Sequence, residues 1–139
     1  SKMAERPHQL HEPPIALHPE GTTSNGTAIL KFHLGAFVAK APVLPIALRY
    51  TPYSIWPFNP AYDIMLWPEY VPRLFSSLGG TLEIIYLPVH VPTEEEKADV
   101  PLFAQHVREE IASALGQPLA EKTYEDKLVF MGVSKDAFD

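Results

Sequence analysis

The sequence predicts an α/β protein in which an incomplete layered sheet carries flanking helices, and three observations predict it. Short Val-, Ile- and Leu-rich runs at 15–18, 43–50 and 81–91 are bounded by proline or glycine, as buried strands are. Beyond residue 99, apolar residues recur at three- and four-residue steps, the period of an amphipathic helix. Strands that alternate with helical pattern imply a layered sheet. Three short strands and one good helix leave sheet edges open and bury little of a small chain's surface. The segment therefore reads as part of a domain.

Residues 1–14 are polar and read as a separate N-terminal segment. The first strand, Ile15-Ala16-Leu17-His18, stops at Pro19, which has no N–H for a ladder. Residues 20–27 are dense in Gly, Thr, Ser and Asn and signal a loop. Leu30, Phe32, Leu34 and Phe37 suggest a short helix around 35–40, and 43–50 reads as the second strand. Residues 51–72 hold Tyr53, Trp56, Phe58, Tyr62, Trp67 and Tyr70 among five prolines and follow neither period. That stretch is read equally as a lid over the sheet or as a surface that docks on a bilayer, where Trp and Tyr are favoured. Gly79-Gly80 ends it, and 81–91 forms the third strand.

Thr93 and Glu96 have capping-box spacing. Glu94, Glu95 and Glu96 are read as a solvated helix start that complements the helix dipole. The long helix runs through Val100, Phe103, Val107, Ile111 and Ala114, with Asp99 as its cap, Pro101 in its first turn, and Gly116 and Pro118 closing it. The domain is thus expected over 15–116, with 117–139 as a C-terminal extension.

Composition narrows the function classes. The chain has 139 residues, 46% hydrophobic and 20% charged, which is globular composition of about one domain. Its 15 prolines against 7 glycines predict many short elements. The net charge is −6 and Lys31, Lys40, Arg49 and Arg73 form no run, which argues against a nucleic-acid partner. The absence of cysteine removes disulfides, thiol catalysis and cysteine-bound zinc. No apolar stretch approaches the roughly 18 residues of a spanning helix.

Pro19-Glu20-Gly21-Thr22-Thr23-Ser24-Asn25-Gly26 is the segment with chemical potential. Glycines let a loop approach an anion closely, and three successive hydroxyls with backbone N–H groups can ligate phosphate oxygens. Lys31 stands close enough in sequence to add charge. The same composition also suits a plain turn. Asn25-Gly26-Thr27 matches the glycosylation pattern, here read as coincidence. No regular element is evident across His8, His11 and His18 and no carboxylate cluster accompanies them, so they are not read as a metal site.

The order of the blocks is more specific. Leu17-His18-Pro19-Glu20-Gly21-Thr22, then Lys31-Phe32, Gly35-Ala36-Phe37 and Ala41-Pro42-Val43-Leu44-Pro45-Ile46, resemble successive blocks of the glycerolipid (1-acylglycerol-3-phosphate acyltransferase-like) acyltransferases. Leu87-Pro88-Val89, Glu94-Glu95-Glu96-Lys97, Val107-Arg108 and Thr123-Tyr124-Glu125-Asp126 are similar to the tail of the lysophosphatidylcholine and lysophosphatidylethanolamine branch. The resemblance covers about residues 15–132 and implies the C-terminal half of such an acyltransferase domain.

What it implies is acyl transfer from acyl-CoA, as co-substrate without a cofactor, to a lysophospholipid hydroxyl. Glu20, Gly21, Thr22, Thr23, Ser24, Asn25 and Lys31 then become the acceptor-phosphate-binding residues. Residues 42–46 would serve the acceptor site or the fold beneath it. A membrane surface, that of the endoplasmic reticulum with the site facing the cytosol, is implied in the same way. Thr23 stands where the family's common form has Arg, which suits the branch with larger head groups. His18 replaces a usual Phe.

The family's base is a histidine with an aspartate five residues later, a pairing that orients the ring to deprotonate the alcohol. No histidine here has that partner, and the block belongs upstream of Glu20. His90 with Glu95 is the near match, but it follows Glu20 and reads as a strand-end histidine. No catalytic residue is assigned, and the chain is expected to be a fragment that is inactive alone. The alternative is a non-catalytic lipid- or membrane-binding module on the same half-fold.

Overall fold

The fold comes from a computed structural model, which describes residues 15–22, 26–52 and 80–123 together with Pro72, Phe75, Glu125, Asp126 and Val129. Two strands, β1 (Ile46–Pro52) and β2 (Gly80–Tyr86), pair antiparallel in the register Ile46 to Tyr86, Leu48 to Ile84 and Tyr50 to Leu82. An isolated bridge between Val43 and His90 prolongs the pairing below β1. Two helices follow, α1 (Glu94–Ala98) and α2 (Val100–Leu115). A 3-10 turn at Leu34–Ala36 occupies the place of the expected short helix. The aromatic stretch at 53–71 lies outside the described residues.

Both helices start where their caps place them. The Thr93 hydroxyl accepts the Glu96 N–H at 3.3 Å, and Glu96 Oε2 accepts the Thr93 N–H at 2.7 Å, a complete capping box. Asp99 Oδ1 accepts the Leu102 N–H and starts α2. Gly116 ends it at φ 67°, the left-handed conformation that favours glycine, while the Gln117 N–H reaches the Ala112 carbonyl at 3.0 Å.

One face of α2 forms the core. Phe103, Ala104 and Val107 are buried with Phe37, and Phe32, Ala36, Val43, Val100 and Ile111 pack around them. The rings of Phe37 and Phe103 meet edge to face with centroids 5.1 Å apart, a favoured aromatic geometry. Ala47 lies beneath α2, and Arg49 ties β1 to the helix end by donating to the Ala114 carbonyl at 2.9 Å.

Two strand expectations change. Residues 15–18 form no strand: the His18 carbonyl accepts the Gly21 N–H at 3.1 Å, closing a turn, and Ile15 and Leu17 are exposed. Among the described residues, the second and third runs form strands covered on one face only. The α2 side takes Ala47, whereas Ile46, Tyr50, Leu82, Ile84 and Tyr86 stand on the open face, with Ile84 49% and Tyr86 66% exposed. A single helix layer can cover only one side of a sheet. Small mixed α/β architecture is therefore what the described residues form.

The residues after α2 return to the fold. The Ile29 N–H donates to the Pro118 carbonyl at 3.0 Å, the Ala120 N–H to the Ile29 carbonyl at 2.9 Å, and the Lys31 N–H to the Lys122 carbonyl at 3.0 Å. Residues 118–122 thus run parallel beside 29–31. Among the described residues, no helix is long and apolar enough to cross a membrane.

Candidate functional site

The turn at Glu20-Gly21-Thr22 projects from a closed base. Its arms meet where the His33 N–H donates to the Pro19 carbonyl at 2.7 Å and the Leu30 N–H to Glu20 Oε1 at 3.2 Å. Glu20 is therefore a brace across the loop. Burial pushes its carboxyl above the usual range, opposed by the Leu30 hydrogen bond and the Arg108 charge. Gly21 sits at φ 69°, and a Cβ there would fall 2.5 Å from the His33 ring, so both conformation and space call for glycine. Thr22 is half-buried beside it. Thr23, Ser24 and Asn25 lie outside the described residues.

Lys31 is turned to the C-terminal arm. Its Nζ meets Glu121 at 2.7 Å, an exposed pair that holds the Glu121 carboxyl below its usual range. The loop tip is tied to the same arm, since Gln117 Nε2 donates to the Gly26 carbonyl at 2.7 Å. Of the seven predicted binding residues, the structure thus brings Glu20, Gly21 and Thr22 into one turn and places Lys31 on its return arm.

A second cluster was invisible to periodicity. Glu96, read from sequence as part of a solvated helix start, is only 1% exposed and forms the hub of a polar network. His106 Nδ1 approaches Glu96 Oε1 at 2.6 Å and His90 Nε2 approaches it at 3.1 Å, while His90 Nδ1 meets Glu110 Oε1 at 2.8 Å. Glu94 and Glu95 do remain exposed. Burial opposes ionisation of Glu96, but the Thr93 N–H and both histidines outweigh it and hold the carboxyl down at about 2.

His90 responds in the opposite sense. Burial lowers its pKa, and hydrogen bonds to Glu110 and Glu96 overcome this to raise it above the ordinary value. Each ring nitrogen faces a carboxylate oxygen, which favours the imidazolium donating from both. A general base needs a ring nitrogen with a free lone pair aimed at the alcohol. His90 offers none, and its carboxylate partners are Glu96 and Glu110, with Glu95 not among them. The ring instead packs on Phe103, centroids 5.3 Å apart, joining the network to the core. Among the described residues, no set of His, Asp and Glu is arranged to hold a metal ion.

A shallow groove of about 750 Å³ runs between Leu87–Val91 and the Glu109–Ala114 side of α2. Glu109 and Glu110 on its rim make it a poor place for a phosphate. At the Glu20 turn the Glu20 carboxylate is engaged with the Leu30 N–H, and the Glu121 carboxylate of the adjoining arm with Lys31 Nζ.

The chain is 39% identical over 130 residues to the lysophospholipid acyltransferase LPEAT1 of Arabidopsis thaliana, covering 91% of this chain and 32% of the relative. It is 38% identical over 124 residues to a lysophosphatidylcholine acyltransferase of Drosophila melanogaster, covering 84% and 22%. With human lysophosphatidylcholine acyltransferase 1 it shares 39% over 121 residues, covering 82% and 21%. No family model matches the chain. No solved structure matches it. The chain spans between 21% and 32% of the length of these relatives. Over that segment, it belongs to the family of lysophospholipid and lysophosphatidylcholine acyltransferases.

Proposed function

We propose that this chain supplies the acceptor side of an acyltransferase that moves an acyl group from acyl-CoA to a lysophospholipid hydroxyl, within an incomplete layered acyltransferase sheet. The observation that carries the reading is the Glu20-Gly21-Thr22 turn: it is braced at its base and tied to 117–122, and in sequence it leads into Thr23, Ser24 and Asn25. Backbone N–H groups and hydroxyls of a Gly/Thr/Ser-rich sequence of this kind suit phosphate oxygens. Glu20 acts here by shaping the turn, since a carboxylate does not itself attract a phosphate. Lys31 on the return arm and Lys122 on the neighbouring C-terminal arm bring positive charge near the turn, with Lys31 paired to Glu121.

Transfer needs a base for the alcohol, and the sequence contains no histidine followed by aspartate five residues on. The acceptor site therefore works with a base supplied by other polypeptide, and the isolated chain turns over no acyl-CoA. The open face of β1 and β2 is where further domain packs. No cofactor enters the chemistry, and the enzyme acts on a membrane surface, that of the endoplasmic reticulum with the turn on the cytosolic side.

A chimera tests this. Replacing the homologous segment of the Arabidopsis relative with residues 15–132 should preserve oleoyl-CoA-dependent acylation of a lysophospholipid, and Gly21→Val in the chimera should abolish it. A folded chimera without activity, beside an active parent, contradicts the proposal. Binding of lysophospholipid by such an inactive chimera would favour a lipid-binding module.

A further inference from the structure

We infer that Arg108 is the positioning residue of the acceptor turn: from the buried side of α2, its guanidinium grips the carbonyls of Ile29 and Ala120 and so fixes the arm whose Leu30 N–H braces Glu20. The inference rests on the acceptor reading of that turn. Arg108 is 1% exposed, although it lies on a helix whose neighbouring positions form the apolar core. A buried guanidinium is expensive to desolvate and is retained where its planar fork of donors is used.

One arm of the fork is used on backbone and the other on side chains. Nη2 donates to the Ile29 carbonyl at 3.0 Å and also to the Ala120 carbonyl, joining the two parallel arms. Nη1 donates to Gln105 Oε1 at 3.0 Å, which locks the side chain to its own helix. Nε is buried without a hydrogen-bond partner. The nearest carboxylate oxygen in an ion pair is that of Glu121, at 3.7 Å and itself 2.7 Å from Lys31. Glu121 is thus shared between Lys31 and the guanidinium, whose positive charge also acts on Glu20 across the loop.

Three linked contacts therefore run from α2 to the turn: Arg108 to the Ile29 carbonyl, the Leu30 N–H to Glu20, and Glu20 to Gly21 by chain continuity. Ile29 and Leu30 are adjacent, so a peptide fixed at its carbonyl presents the next N–H in a fixed direction. Lysine at 108 would keep the charge and lose the fork. Methionine would lose both while filling similar volume.

The test uses the 139-residue chain with Arg108→Met and Arg108→Lys. Amide hydrogen exchange followed by NMR reads the N–H groups of Ile29, Leu30, Lys31 and Ala120, with Val107 and Ile111 of α2 as reference. Arg108→Met should lower protection of the first four by about tenfold or more, and of the reference pair by less than about threefold. The Glu20 carboxyl should titrate higher in Arg108→Met. Arg108→Lys should restore its titration but only part of the protection. The affinity for monomeric short-chain lysophosphatidylcholine should fall about tenfold in Arg108→Met, the loss that follows a misplaced turn.

Unchanged protection at Ile29 and Leu30, or equal loss in α2, overturns the inference. If Arg108→Met does not fold, Arg108→Lys decides by the same exchange pattern. If the unaltered chain binds no lysophosphatidylcholine, the acceptor reading fails while the exchange pattern still decides the role of Arg108.

Discussion

Replacing Glu96 with Gln keeps the shape of the buried hub and removes its charge, so the consequence can be worked out in sign and size. Glutamine can still accept the Thr93 N–H through Oε1, and the capping box is weakened without being abolished. With that oxygen on Thr93, the amide Nε2 replaces the oxygen that accepted from His90 and His106, so both charge-assisted bonds are lost. Hydrogen bonds to charged groups contribute about 1.5–3 kcal/mol each, and the half-exposed His106 contributes less through solvent screening, which leaves a loss of about 2 kcal/mol.

The pH dependence follows from the shifts. Glu96 has a folded-state value of about 2, below its ordinary 4.5, so its contribution is full above pH 4.5 and is lost as pH falls toward 2. His90 is raised above its ordinary 6.5, so its contribution is full below 6.5 and is lost as pH rises through the raised value. Both are complete between pH 4.5 and 6.5. Urea denaturation followed by far-ultraviolet circular dichroism, across pH, should show the wild type and Glu96→Gln furthest apart in that window. Their curves should converge toward pH 2, and the gap should also narrow on the alkaline side. A difference under about 0.5 kcal/mol at mid-window, or one that persists unchanged into strong acid, would refute the hub assignment.

Gly21→Ala should destabilise the chain by about 1–2 kcal/mol, since the left-handed conformation disfavours a Cβ and the His33 ring must move; differential denaturation measures it. Phe103→Ala removes the most enclosed aromatic ring of the core and should cost about 3–5 kcal/mol in the same assay. Glu83→Gln breaks only the exposed pair with Arg49 and should change stability by less than about 0.5 kcal/mol. Ile84→Lys interrupts the open sheet face, and sedimentation velocity should show that variant less self-associated than the parent chain.

The helices were legible because their signals are local. Thr93, Glu96, Asp99 and Gly116 act on backbone groups within a few residues, and the structure uses all four as read. Strand burial was less legible, because a run such as Ile15-Ala16-Leu17-His18 is apolar whether or not a partner strand reaches it. Here the His18 carbonyl is taken by a turn. The covered and open faces of β1 and β2 depend on where α2 docks, which no window along the strand reports.

The site divides in the same way. Gly21 could be picked out from its place in a Gly/Thr/Ser-rich loop. The burial of Glu96 could not, because its partners His90 and His106 come from six and ten residues away on other elements. Arg108 looks like an ordinary helix-surface residue in sequence. Only the return of 118–122 beside Ile29 encloses it.

In the proposed function, the turn at Glu20-Gly21-Thr22 receives the lysophospholipid phosphate. Titrating the isotopically labelled chain with monomeric short-chain lysophosphatidylcholine, and following backbone amide shifts by NMR, tests it most directly. Saturable shifts are expected at Gly21, Thr22 and Gly26, abolished by Gly21→Val, with the Leu87–Val91 groove unmoved. Saturable shifts confined to that groove or to the open sheet face, with the turn silent, would contradict it.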